Sequence, residues 1–147
     1  MNLEEWVKNN WLTKQLASPQ EIKDLLNVAE RDLKDCQITD LSLDARFNLA
    51  YNSALQLANI ALRACRYRVS KGERSHYYVI QSLALTIGLD KENILNFEAF
   101  RKKRHESSYE VAGNISEQEV IEITEFATKL RNNVEIWLKS KHPELLK

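Results

Sequence analysis

Residues 44–67 read DARFNLAYNSALQLANIALRACRY, an alanine- and leucine-rich run without a proline or glycine. Those residue types lose least on entering a helix, so the stretch is expected to be one long helix. Its apolar positions Ala50, Ala54, Leu57, Ala58, Ala61, Leu62 and Cys65 recur at helical spacing and make a stripe of mostly small side chains. Small side chains let neighbouring helices approach closely, which places this helix at the centre of a bundle. Asn48, Asn52 and Asn59 lie beside the stripe. They are expected to flank the core or hydrogen-bond within it, a ligand-facing role being the other reading.

Working outward from this helix, start and stop signals divide the rest of the chain. Asn2 with Glu5 three positions later can satisfy two exposed N–H groups, predicting a short first helix within residues 2–14 anchored by Trp6 and Trp11. Ser18 as cap, Pro19 and Glu21 open a second helix to about Asp35, with Ile22, Leu25, Leu26, Ala29 and Leu33 turned inward. CQITDLSLDA is a polar linker, and VSKGERS, holding Gly72, is a loop. Ser75 is expected to cap a helix over 76–87 that stops at Gly88. His76, Tyr77 and Tyr78 at its start are read as packing or hydrogen-bonding locally, in preference to facing a ligand. Asp90 caps a helix over 91–111, with Ile94, Phe97 and Phe100 inward. Ser116 to Glu119 form a capping box for a last helix whose stripe runs Val120, Ile123, Ala127, Leu130, Val134, Trp137 and Leu138 before His142 and Pro143.

The predicted fold class is therefore all-α, an up-and-down bundle of four principal helices plus a short N-terminal one. A chain of 147 residues fits one domain and buries roughly 68–70% of its unfolded surface. Twenty-one basic and 21 acidic residues leave no net charge, so attraction to nucleic acid has to come from a local patch. Two cysteines do not make a disulfide framework. The N-terminus lacks the apolar core of a secretory signal, and no window approaches the ~18 apolar residues of a membrane span; a cytoplasmic location without membrane partners is expected. There is no Gly-rich phosphate loop, no HExxH and no paired cysteine ligands, so neither a metal nor a cofactor is expected.

One segment stands apart, FRKKRHESSYE at 100–110. Cations in the later turns of a helix offset its C-terminal dipole and keep a surface solvated, at ~0.3–1 kcal/mol each. An arginine that can grip a phosphate in two places, beside groups able to move a proton, is also the minimum for binding or cleaving RNA. From composition alone the solvated-helix reading is the preferred one.

The alanine-rich helix, a tyrosine-rich shorter one and then a helix with an arginine, a polar follower and a proton-active residue resemble a HEPN domain over roughly residues 18–141. Ribonucleases of that family pair an arginine, usually followed by Asn, Asp or His, with a histidine further along the same helix. Two protomers line one cleft and cut RNA without metal, the arginine holding phosphate and the histidine moving the proton of the 2′-hydroxyl. On this chain the resemblance puts Arg104 at the arginine position, His105 at the follower and Tyr109 at the histidine position. A tyrosine, with an unperturbed pKa of about 10, is a poor base near neutrality. The register Arg101 with His105 supplies a histidine but has one intervening residue too few, although the two share a helix face. Arg101, Lys102, Lys103 and Ser108 would then contact phosphate or sugar, beside Glu106 and Ser107. The resemblance implies a homodimer that binds RNA or a nucleotide, with weak metal-independent endoribonuclease chemistry as one outcome. It also implies a toxin role with a nucleotidyltransferase-type antitoxin as partner. The alternative is a non-catalytic helical protein-interaction module.

Overall fold

A computed structural model describes residues 1–109 and 113–147, with 106–109 described through their backbone alone. In chain order the elements are α1 (Leu3–Lys8), β1 (Leu12–Lys14), α2 (Pro19–Asp35), α3 (Leu43–Ala64), β2 (Tyr67–Val69), α4 (Ser75–Thr86), α5 (Lys91–Tyr109) and α6 (Glu117–Lys141), followed by a 3-10 turn, Pro143–Leu146. The protein is all-α apart from one small two-stranded sheet. Four long helices, α2, α3, α5 and α6, carry the architecture, and the shorter α4 bridges α3 and α5.

The alanine-rich helix is central, as its composition predicts. α3 packs against α2, α6, α4 and α5, and Ala50, Ala54, Leu57, Ala58 and Ala61 are wholly buried along with Phe47, Tyr51 and Ile60. Small side chains also bring polar groups of α2 within reach. Ser53 donates its hydroxyl to the Ala29 carbonyl at 2.7 Å, and Asn52 Nδ2 donates to the buried Asp32 carboxylate at 2.7 Å. Asn52 thus bonds within the core. Asn48 Oδ1 is buried without a hydrogen-bond partner among the described residues, and Asn59 borders a surface groove.

Helix ends follow the local signals where a cap is present. The Ser18 hydroxyl accepts from Glu21 N at 3.1 Å with Pro19 in the first turn, and α2 ends at Asp35 as predicted. Ser116 and Glu119 complete their reciprocal box at the start of α6. Gly88, at φ +73°, stops the chain after α4 in the left-handed region that glycine tolerates best. The predicted end of α5 at residue 111 lies outside the described residues.

Three boundaries differ from the sequence reading. The N-terminal helix stops at Lys8, Asn10 turns into the left-handed region at φ +63°, and the chain continues as β1. α3 stops at Ala64 and not at Tyr67, because Arg66 makes the same left-handed turn at φ +73° and sends the chain into β2. The two strands pair antiparallel, Leu12 opposite Val69 and Lys14 opposite Tyr67. Their pairing buries Leu12 with Trp6 and Leu62. Ser75 is the first residue of α4 instead of its cap; Arg74 takes the cap position without a side-chain hydrogen bond and lies over the Tyr77 ring at 4.5 Å. Tyr78 packs locally against Tyr77 at 5.4 Å, and it also stacks on Trp11 of the distant N-terminal segment at 4.9 Å. Among the described residues no helix is long and apolar enough to cross a membrane.

Candidate functional site

The basic segment lies in the second half of α5, and the helix distributes its four cations among different surroundings. Lys102 points to solvent. Lys103 reaches α6, where its Nζ lies 3.3 Å from Glu119 Oε2. Arg101 forks onto Glu98 one turn earlier, with Nε 3.0 Å from both carboxylate oxygens and Nη2 donating to Oε1. Glu98 is itself largely buried, so this pair is a fixed feature of the α5 surface and offsets most of the Arg101 charge.

Arg104 differs from the other three. Its guanidinium lies over the ring of Tyr51, 5.3 Å from the centroid, an arrangement in which the negative face of the ring attracts the cation. Its Nε is buried and, among the described residues, has no hydrogen-bond partner. Such a donor normally finds an acceptor, and leaving it unmet costs about 1–3 kcal/mol or more.

Tyr51 extends the contact to a third helix. It is buried in α3, held edge-on by Phe97 at 6.0 Å, and its hydroxyl lies 3.3 Å from Nδ1 of His76 in the first turn of α4. Arg104, Tyr51 and His76 thus form one continuous set drawn from α5, α3 and α4. Burial pushes the Tyr51 phenol well above its ordinary range, so it remains an O–H group. Burial also lowers the His76 pKa below 6.5, and the nearby charges of Arg104 and Arg101 lower it further. The imidazole is therefore neutral near pH 7, with one nitrogen free to accept and the other to donate.

The sequence-predicted residues sort differently from their order along the chain. The structure brings Arg101 and Arg104 onto the face of α5 that looks toward α3 and α4, while Lys102 and His105 are exposed and Lys103 turns to α6. The side chains of Ser108 and Tyr109, with those of Glu106 and Ser107, lie outside the described residues. His76 reverses its expected role: it does hydrogen-bond, but across the bundle to a residue beside Arg104 instead of locally. Tyr51 and Glu98 were absent from the sequence reading. Glu98 at i−3 from Arg101 carries a helix-pair signal, whereas nothing local ties His76 to Tyr51.

The arrangement can hold an anion. Two guanidinium groups, one of them uncommitted to a carboxylate among the described residues, stand near a neutral imidazole that can change its proton. Among the described residues no cluster of three or more His, Cys, Asp or Glu could hold a metal ion. No protein-family model matches this chain, and no curated protein is significantly similar to it.

Proposed function

We propose that the protein binds RNA, or the phosphate of a nucleotide, at Arg104 on α5. The observation that carries this reading is the Arg104 guanidinium itself, lying over the Tyr51 ring with a buried Nε that is unmet among the described residues. The contact with the ring holds the guanidinium in place, and its planar fork suits two-point recognition of phosphate oxygens. Exposed Lys102 adds general attraction to a polyanion. The HEPN resemblance supplies the rest of the proposal: a homodimer whose two α5 segments share a cleft, weak metal-independent cleavage of RNA, and a toxin role countered by a nucleotidyltransferase-type antitoxin. In that scheme the 2′-oxygen of the RNA attacks the adjacent phosphorus to give a 2′,3′-cyclic phosphate, a protein group takes the 2′-hydroxyl proton, and the 5′-oxygen leaves as a hydroxyl with a proton delivered by water or a protein acid.

Titration with a short oligouridylate at several salt concentrations tests this proposal. Phosphate contacts on a single strand give a slope of about −0.7 per phosphate in log K against log salt. Arg104→Ala is expected to weaken binding about tenfold and to flatten the slope by about 0.7. Absence of binding by the unaltered protein at low salt would refute the RNA reading. Expression of the protein and of Arg104→Ala in growing cells separates the toxic nuclease from a binder: equal growth and intact RNA in both would eliminate the nuclease. Sedimentation as a monomer at every accessible concentration would eliminate the shared cleft.

A non-catalytic protein-interaction module is the second reading, and a different surface favours it. Ile136 is 67% exposed and lies with Trp137 and Ile87 along a groove of about 450 Å³ between the C-terminal half of α6 and the α4–α5 turn. Retention of every RNA-related property by an Ile136→Glu variant, with loss of a co-purifying protein, would favour that reading.

A further inference from the structure

We infer that His76 completes the phosphate seat: an RNA phosphodiester held by Arg104 also contacts His76, and the imidazole takes up a proton as the diester binds. This inference rests on the RNA reading of Arg104 above and extends it to a residue on a different helix, outside the segment that the HEPN resemblance covers with its motif.

The geometry makes His76 part of the same site. It is half-buried, its Nδ1 is 3.3 Å from the Tyr51 hydroxyl, and the Arg104 guanidinium lies over the ring of the same Tyr51, 5.3 Å from its centroid. Among the described residues, α3 contributes Tyr51 and α5 contributes Arg104 and Arg101, the latter paired with Glu98, while Arg74 at the cap of α4 lies over the ring of Tyr77, the residue after His76. Glu98 is committed to Arg101, so it offsets that charge and leaves Arg104 as the cation that a carboxylate does not neutralise among the described residues.

That balance dictates the direction of proton movement. Without ligand, a protonated His76 would add a positive charge beside Arg104 in a partly desolvated place, and the neutral form is favoured. A phosphodiester brings one negative charge to the same place and reverses the preference. Protonation also resolves the hydrogen bond to Tyr51: Nδ1–H donates to the phenolic oxygen, and Nε2–H is left to donate to the ligand. His105, although adjacent to Arg104 in sequence, is exposed and lies one residue further around the helix.

The linkage has a definite sign. The His76 pKa of the complex lies above that of the free protein, so affinity rises as pH falls through the value in the complex and levels off below the value in the free protein. Each unit between the two values is a tenfold change in affinity.

Oligouridylate is the probe, because neither its diesters nor its bases titrate between about pH 5 and 8, the window in which histidine is the side chain that ordinarily changes charge. Proton NMR of the His76 ring in the unaltered protein is expected to show titration below 6.5 when free and a rise of at least about one unit when oligouridylate is bound. Binding should strengthen about tenfold on going from about pH 8 to about pH 5.5, a gain that His76→Gln abolishes and His105→Gln retains. If RNA binds with the expected salt dependence but the His76 resonance keeps its midpoint, the inference is wrong and the RNA reading survives. The same holds if His76→Gln keeps the full pH dependence. If the unaltered protein binds no oligouridylate at low salt, both fail.

Discussion

Arg63→Ala is expected to lower the unfolding free energy by about 3 kcal/mol, the low end of the range for removing one partner of a buried ion pair, because Glu21 keeps 30% of its side chain exposed. Only 4% of this side chain is exposed, and its guanidinium joins four parts of the chain. Nε donates to Glu21 Oε2 at 2.7 Å and Nη2 to Glu21 Oε1 at 3.0 Å, which ties the end of α3 to the first turn of α2. Nη1 and Nη2 also donate to the Gln15 and Leu16 carbonyls at 2.9 Å, and Nη1 to the Tyr67 carbonyl at 3.1 Å. Alanine would leave three backbone carbonyls without this donor and Glu21 with only the more distant Arg68 at 3.6 Å. For a domain of this size the loss corresponds to a fall in Tm of about 10 °C, taking about 2–4 °C per kcal/mol.

Lysine cannot reproduce the planar fork, so Arg63→Lys should recover less than half of the loss. Urea unfolding at neutral pH measures both variants; a loss below about 1 kcal/mol for Arg63→Ala would mean that the network is not structural. The pH dependence gives a second check. The Arg63 hydrogen bonds hold the Glu21 carboxyl below its ordinary 4.5, so the folded pKa is depressed relative to the unfolded chain. That contribution is present above about pH 4.5 and is lost as pH falls through the folded value. Arg63→Ala should therefore lose less stability on acidification than the parent.

Phe97→Ala is expected to cost about 3–5 kcal/mol, the range for a buried phenylalanine cut to alanine. Its ring is fully buried on α5 and meets Tyr51 of α3 at 6.0 Å and Phe126 of α6 at 5.1 Å, both edge-on. Three of the four long helices converge on it, and they cannot all collapse into the space it would leave. Leu95, two residues earlier and 58% exposed, is the control; Leu95→Ala should stay within about 0.5 kcal/mol. Equal losses in the two variants would show that the aromatic contacts do not hold α5 to the bundle. Because Phe97 also supports the ring on which Arg104 lies, a surviving Phe97→Ala protein should bind oligouridylate less tightly than Leu95→Ala.

Much of the fold was legible because its signals are local. Ser18 with Pro19, and Ser116 with Glu119, mark helix starts through bonds that span three residues, and both starts are where the sequence places them. The centrality of α3 follows from its small side chains, since only a helix poor in bulk can accept neighbours on several sides. The sheet was not legible. Each strand has three residues, too few for a periodic pattern, and the partners are separated by most of the first half of the chain.

The candidate site divides along the same line. In sequence, Arg101, Lys102, Lys103 and Arg104 are four similar cations, with His105 the nearest proton carrier. Helical phase alone separates the lysines from the arginines and brings Arg101 to Glu98, because those relations repeat every three or four residues. That Arg104 rests on Tyr51, and that His76 is joined to that set, depends on α3, α4 and α5 meeting in the core. The residues that meet there are far apart in the chain, and the force that gathers them is the burial of Tyr51 and Phe97, which no short motif encodes.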